Sequence, residues 1–117
     1  MKNIELLEKL CMAVGISGEE DAVRALILEE IEPLADSVEI TPLGNIIAFK
    51  KGEKRPVKKL MLCAHMDEVG LVVTNITAEG CLKFDTVGGV RPAGVCGGGV
   101  GVNGAVPGGM RAKANDK

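Results

Sequence analysis

The sequence predicts an α/β fold, with two helices and about three strands followed by the first strands of a β-rich second part. Three observations carry this prediction. Apolar residues recur at helical spacing over residues 2–34, short β-rich stretches follow over residues 37–87, and glycine becomes frequent after that. We place the boundary between the two parts near residue 70, so that they span residues 1–69 and 70–117.

Two amphipathic helices are predicted at the start of the chain. The first covers residues 2–13, with charged side chains opposite an apolar face. Its apolar positions are Ile4, Leu7, Leu10 and Cys11. The second begins in "GISGEED", where Ser17 is the expected N-cap and Glu20 stands three residues on, as in a capping box. It runs to about Leu34. Its apolar stripe is formed by Val23, Leu26, Ile27 and Ile31.

Five short stretches have the composition of strands. The first three are residues 37–41, 46–50 and 57–65, with a turn at "PLGN" between the first two and a polar loop, "KGEKRP", before the third. Residues 71–77 and 81–87 predict a hairpin around a turn at "AEG". The stretch "KKGEKRPVKK" holds six basic residues. We interpret it as a solvated hairpin end and not as a phosphate site, because short charge runs are usually exposed.

Composition and charge exclude several classes of function. The chain of 117 residues has two Phe and neither Trp nor Tyr, so it lacks the aromatic faces of a base-stacking nucleic-acid platform. A formal charge of -2 gives no electrostatic attraction for nucleic acid or an anionic membrane. Charged residues interrupt the apolar runs well short of the roughly 18 residues that a membrane span needs. We therefore expect neither nucleic acid nor a membrane as a partner.

The cysteines and the first residues predict a cytoplasmic protein. The four cysteines form no C-x-x-C pair, and "MKNIELLEKL" alternates charges where a secretory signal has an apolar core. Reduced thiols are the rule in the cytosol, and we expect reduced thiols here. The cysteines are Cys11, Cys63, Cys81 and Cys96.

Ten of the 16 glycines fall in the last thirty residues. Such a segment has little to pack and a high entropic cost of ordering, so we expect the end of the chain to be poorly ordered. Within it, "GVGVNG" at residues 99–104 matches the G-x-G-x-x-G dinucleotide pattern. That pattern requires a helix directly afterwards, and "AVPGGM" places proline and two glycines there. We reject the dinucleotide site.

The one histidine of the chain, His65, lies in "LMLCAHMDEVG" at the end of an apolar run. If residues 59–67 form a strand, alternation puts Cys63, His65 and Asp67 on one face. Open α/β sheets place ligand sites at the carboxyl ends of strands, and a metal-bound imidazole generally donates its other N–H to a carboxylate. His65 and Asp67 therefore match a metal ligand and the residue that orients it.

Other interpretations of these residues stay open. An H-x-D triplet also occurs by chance, and His65 is then a half-buried histidine satisfied by a neighbouring carboxylate. Cys63 could ligate a soft metal, but strand core is the simpler interpretation, and Glu68 is either a further acid of the site or a loop residue. A single-site metal-binding protein would use all four residues: Cys63, His65, Asp67 and Glu68.

Three motifs in register resemble the dinuclear-metal aminopeptidases of peptidase family forty-two. The stretch "MLCAHMDEVGLVVTNITAEGCLKFDTVGG" is similar to the signature region of that family, "GISGEE" to its G-x-S-G-x-E start of the second helix, and "TPLGNIIA" to its D-x-x-G-N strand turn. The family includes glutamyl, deblocking and tetrahedral aminopeptidases, and some members are labelled endoglucanases. The resemblance implies a metallo-aminopeptidase, a hydrolase that removes N-terminal residues from peptides.

By this resemblance, His65 is a metal ligand and Asp67 is the catalytic residue that orients its imidazole. The family uses two divalent metal ions, for which zinc, cobalt and manganese all suit such ligands. Residues 1–69 would be the N-terminal part of the zinc-peptidase-like catalytic domain, and residues 70–117 the start of an inserted β-barrel domain that mediates dimer contacts. The resemblance also implies homo-oligomers, from dimers to dodecamers, although the glycine-rich departure after residue 87 argues against that assembly here.

The other ligands of the family and its glutamate base lie further along a longer chain. These 117 residues hold no second histidine. A catalytic zinc typically needs three protein ligands and a water, so we expect the chain alone to be inactive. The rival interpretation is a non-catalytic regulatory or assembly module that kept the fold and lost the chemistry.

Overall fold

The computed structural model describes residues 2–54, 57–91, 99–102 and 106–109. The chain divides into two compact units, Met1–Asp67 and Glu68–Lys117. The elements in chain order are α1 (Lys2–Met12), α2 (Asp21–Ile31), β1 (Ser37–Ile40), β2 (Ile46–Phe49), β3 (Gly70–Ile76), β4 (Leu82–Val87), β5 (Gly99–Val102) and β6 (Val106–Gly109). Two helices with small antiparallel sheets confirm the predicted α/β class.

The two helices α1 and α2 contact each other in the first unit. The predicted capping box is wrong, because α2 begins after Glu20, which is the N-cap residue and makes no side-chain capping bond. The preceding loop explains the later start. Gly18 has φ +95°, a left-handed conformation incompatible with a helix, and the Ser17 hydroxyl is bonded elsewhere. Val23 in α2 is the one buried apolar side chain among the described residues, at 6% exposed.

The hairpin of β1 and β2 forms as predicted. The strands pair antiparallel, from Ser37 opposite Phe49 to Ile40 opposite Ile46. Their turn is the predicted "PLGN" segment, in which Gly44 has φ +84° and donates its N–H to the Thr41 carbonyl at 2.8 Å. An N–H to carbonyl bond of 2.9 Å from Thr41 to Asn45 closes the turn.

The predicted strand at residues 57–65 is not formed. Residues 57–67 pair with no strand in the described part of the chain. The apolar side chains at its start are between 82% and 99% exposed; they are Val57, Leu60, Met61 and Leu62. A central strand of an α/β sheet needs neighbouring strands on its edges and cover on both faces. The described residues supply local hairpins only, so this segment has no strand partner among them.

The described part of the second unit contains two hairpins. The predicted one pairs β3 with β4, with an irregular register between Val73 and Asn75. The sequence did not indicate the other, which pairs β5 with β6 from Gly99 opposite Gly109 to Val102 opposite Val106. Strand β6 stands where a dinucleotide-binding loop would need a helix, which agrees with the rejection of that site. The expected poor ordering at the end concerns residues 110–117, which lie outside the described residues.

The helices of the described ranges are short. None of them is long and apolar enough to cross a bilayer.

Candidate metal site

Three polar side chains, Ser17, His65 and Asp67, meet in the first unit. The Ser17 hydroxyl donates a hydrogen bond of 2.9 Å to Oδ2 of Asp67. Nδ1 of His65 lies 3.0 Å from the main-chain carbonyl oxygen of Asp67 and 3.4 Å from its Oδ1. The two residues that the sequence predicted as ligand and orienter are therefore in contact, and Ser17 adds a third member that the sequence did not indicate.

The contacts of the His65 ring define which nitrogen can bind a metal. A carbonyl oxygen only accepts hydrogen bonds, so the 3.0 Å contact with the Asp67 carbonyl requires a hydrogen on Nδ1. In the neutral imidazole the lone pair then resides on Nε2. This is the arrangement of metal-binding histidines, in which the nitrogen away from the metal donates to a carbonyl or carboxylate. The hydrogen-bond acceptor here is the main-chain oxygen, and the predicted carboxylate lies beside it, with Oδ1 3.4 Å from Nδ1.

The loop before α2 brings Ser17 to Asp67 through a close backbone approach at Gly15. A Cβ atom added to Gly15 would lie 2.6 Å from Cγ2 of Val23 and 3.4 Å from the carbonyl oxygen of Met66. The residue between His65 and Asp67 is therefore packed against this loop. A short β-branched side chain such as Val23 has little freedom to yield, which explains why glycine stands there.

The rest of the "GISGEE" segment is held by Glu20 and Arg24. Oε1 of Glu20 accepts the N–H of Gly18 at 2.7 Å, and its Oε2 lies 3.9 Å from Arg24. The guanidinium of Arg24 also bonds Asp21 and donates from Nε to the Gly44 carbonyl at 2.8 Å. Glu20 thus stabilises the loop by a route different from the predicted capping box.

The exposed fraction of the His65 side chain bears on whether it is a half-buried histidine or an accessible metal ligand. The side chain of His65 is 86% exposed and that of Asp67 is 42% exposed, so the half-buried histidine interpretation is wrong in its burial. No three side chains of the His, Cys, Asp and Glu types are grouped to hold a metal among the residues that the structure describes. The exposed Cys63 is therefore not part of such a group, and neither is Glu68.

The described residues thus include one imidazole suited to metal coordination but no complete set of ligands. An exposed imidazole with its lone pair on Nε2 is chemically suited to one coordination bond. A catalytic zinc takes about three protein ligands. The single-site alternative with Cys63, Asp67 and Glu68 as further ligands is not supported, because these side chains form no such cluster.

A model of the M42 glutamyl aminopeptidase family matches residues 44–109. Lysyl aminopeptidase from Pyrococcus furiosus is 40% identical over 93 residues, which are 79% of this chain and 26% of that protein. The chain spans about a quarter of the length of the curated relatives it matches.

Two solved structures show the same fold over most of the chain. A Thermotoga maritima protein named endoglucanase superposes with a TM-score of 0.82 and 42% identity, covering 92% of this chain and 34% of that one. PhTET1-12s, a dodecamer in the asymmetric unit, has a TM-score of 0.71 and 40% identity, covering 85% of this chain and 29% of that one.

Proposed function

The chain belongs to the M42 glutamyl aminopeptidase family, and on that premise we propose that it is the N-terminal portion of a metal-dependent aminopeptidase that removes N-terminal residues from peptides. The observation that carries the proposal is the contact between Nδ1 of His65 and Asp67, at 3.0 Å to its carbonyl oxygen and 3.4 Å to Oδ1. It orients the imidazole as a metal ligand is oriented.

In this proposal His65 is the metal ligand and Asp67 the residue that orients it. Asp67 keeps the hydrogen on Nδ1, so that Nε2 can coordinate. The family's metal pair, zinc, cobalt or manganese, would polarise the scissile carbonyl and lower the pKa of a bound water. The described residues provide one ligand for that pair, so we derive no step of hydrolysis from them and expect these 117 residues to be inactive alone.

The second unit is proposed to be the start of the inserted β-domain, with the boundary near residue 70. Its described part consists of hairpins only, β3 with β4 and β5 with β6, as the start of a β-barrel would. PhTET1-12s forms a dodecamer, which supports homo-oligomerisation of the whole protein. We propose that the protein acts on peptides in the cytoplasm.

An activity assay on a graft tests this function. The matching stretch of P. furiosus lysyl aminopeptidase is replaced by this chain, and hydrolysis of aminoacyl-nitroanilides is followed with zinc, cobalt or manganese. We expect the graft to hydrolyse them, the His65→Ala graft to lose about 100-fold or more, and the 117-residue chain alone to be inactive.

Each contrary result identifies a different error. Hydrolysis by the 117-residue chain alone would contradict the incomplete ligand set. A folded graft without activity would favour the non-catalytic module. A graft that cleaves carboxymethylcellulose and no nitroanilide would favour a glycosidase, which needs a pair of carboxyl groups flanking the scissile bond.

A further inference from the structure

The Ser17 hydroxyl makes a contact that neither helix capping nor packing requires. Ser17 lies four residues before the start of α2 and is exposed, yet its Oγ bonds Oδ2 of Asp67 at 2.9 Å. The two residues are 50 positions apart. A hydrogen bond to a charged carboxylate is stronger than one between neutral groups, and this one joins the loop before α2 to the segment that carries His65.

We propose that Ser17 is a positioning residue for the His65 imidazole, acting through Asp67. The hydroxyl holds Oδ2, which leaves Oδ1 facing Nδ1 of His65 at 3.4 Å. The same bond ties Asp67 in place, so that its carbonyl oxygen stays 3.0 Å from Nδ1. Ser17 therefore favours the tautomer with hydrogen on Nδ1 and the lone pair on Nε2. This inference rests on the proposed function for its role in metal binding.

Without the Ser17 hydroxyl, the side chain of Asp67 would be less constrained. Its side chain is 42% exposed, so solvent would solvate a released carboxylate and allow it to turn away. The side chain of His65 is 86% exposed, so packing does not enclose its ring. Loss of the hydrogen bond from Ser17 would thus change the ratio of the two neutral tautomers of the His65 imidazole.

The test uses the single histidine of the chain, whose two ring nitrogens give one pair of signals after ¹⁵N-histidine labelling. Spectra are recorded at increasing pH until the ring signals no longer change, so that only the two neutral tautomers contribute. We expect the Nδ1–H tautomer to dominate in the unmodified chain. Ser17→Val should lower the ratio of Nδ1–H to Nε2–H about threefold or more, while Ser17→Thr, which has nearly the shape of valine but keeps the hydroxyl, retains it.

Ser37→Ala is the matched control, because Ser37 is the other serine of the chain and lies in β1. It should leave the ratio unchanged, and the amide signals of the β1 and β2 hairpin should be the same in the unmodified, Ser17→Val and Ser17→Thr chains. A dominant Nε2–H tautomer in the unmodified chain would overturn the proposal without any variant. A Ser17→Val chain with the unmodified ratio would also overturn it.

The tautomer readout is independent of hydrolysis. If the graft is inactive but the tautomer ratio of His65 in the chain still depends on the Ser17 hydroxyl, the proposed function is overturned and the positioning role stands. If the graft is active but the ratio does not depend on residue 17, the positioning role alone is overturned.

Discussion

At the scale of single residues, two carboxylates of this chain are each held by a neighbouring hydroxyl. Asp67 accepts from Ser17, and Glu79 accepts from Thr77. Hydrogen bonds to a charged acceptor favour the ionised form, and for the exposed Glu79 the Thr77 hydroxyl, followed by its own backbone N–H, lowers the pKa below the ordinary glutamate value. In Asp67, the Ser17 hydroxyl determines which carboxylate oxygen faces His65.

The lowered pKa of Glu79 predicts a pH dependence of the β3 and β4 turn. Because the folded-state pKa is depressed, the stabilisation is complete above the ordinary glutamate pKa and is lost as the pH falls through the lowered value. Thr77→Val should raise the pKa of Glu79 towards the ordinary value. An NMR titration of the Glu79 carboxyl carbon measures it in both chains, and an equal pKa in the two would contradict the role of the hydroxyl.

At the scale of elements, the same turn joins both predicted hairpins. In each, a threonine Oγ1 accepts the N–H four residues on at 3.1 Å, from Asn45 to Thr41 and from Cys81 to Thr77. A glycine with φ near +80° occupies the fourth position of each turn, Gly44 at +84° and Gly80 at +80°. Both turns read T-x-x-G in the sequence, and they contain the segments "PLGN" and "AEG" from which the hairpins were predicted.

The two turns differ in their surroundings, and that difference yields a matched pair of substitutions. A Cβ at Gly44 would lie 2.5 Å from Nη2 of Arg24, whereas a Cβ at Gly80 would meet nothing within 4 Å. Gly80→Ala should cost its hairpin about 1–2 kcal/mol through the left-handed backbone alone. Gly44→Ala should cost about 1–2 kcal/mol more, because Arg24 must leave its bond to the Gly44 carbonyl.

Amide hydrogen exchange of each hairpin measures both costs as local opening free energies. Equal losses in the two hairpins would show that the contact with Arg24 contributes nothing to the stability of the turn.

At the scale of the whole molecule, what could be predicted is what depends on neighbours in sequence. Helix periodicity and turn residues predicted α1, α2 and the first two hairpins, β1 with β2 and β3 with β4, near the observed positions. The strand at residues 57–65 could not be judged this way, because its pairing needs strands that the described residues do not supply. The same holds for Ser17, whose partner lies 50 positions away and whose spacing to Glu20 matched a capping box instead.

In the candidate site too, contacts between neighbours in sequence could be predicted and contacts with distant residues could not. His65 and Asp67 are two residues apart, so their pairing was visible as H-x-D, and the carbonyl contact at 3.0 Å refines it. The exposed apolar side chains of Val57, Leu60 and Leu62 are what a chain spanning a quarter of its relatives would leave uncovered. We therefore expect the metal site, like that strand, to be completed only by the remainder of a full-length protein.

We propose that His65 is a metal ligand. The metal content of the graft in lysyl aminopeptidase measures this without relying on activity. Elemental analysis after desalting should find about two divalent ions in the unmodified graft and about one fewer with His65→Ala. Cys63→Ser is the matched control, since Cys63 is an exposed potential donor two residues away, and it should retain both ions. An unchanged metal content with His65→Ala, or loss of an ion with Cys63→Ser, would contradict the assignment.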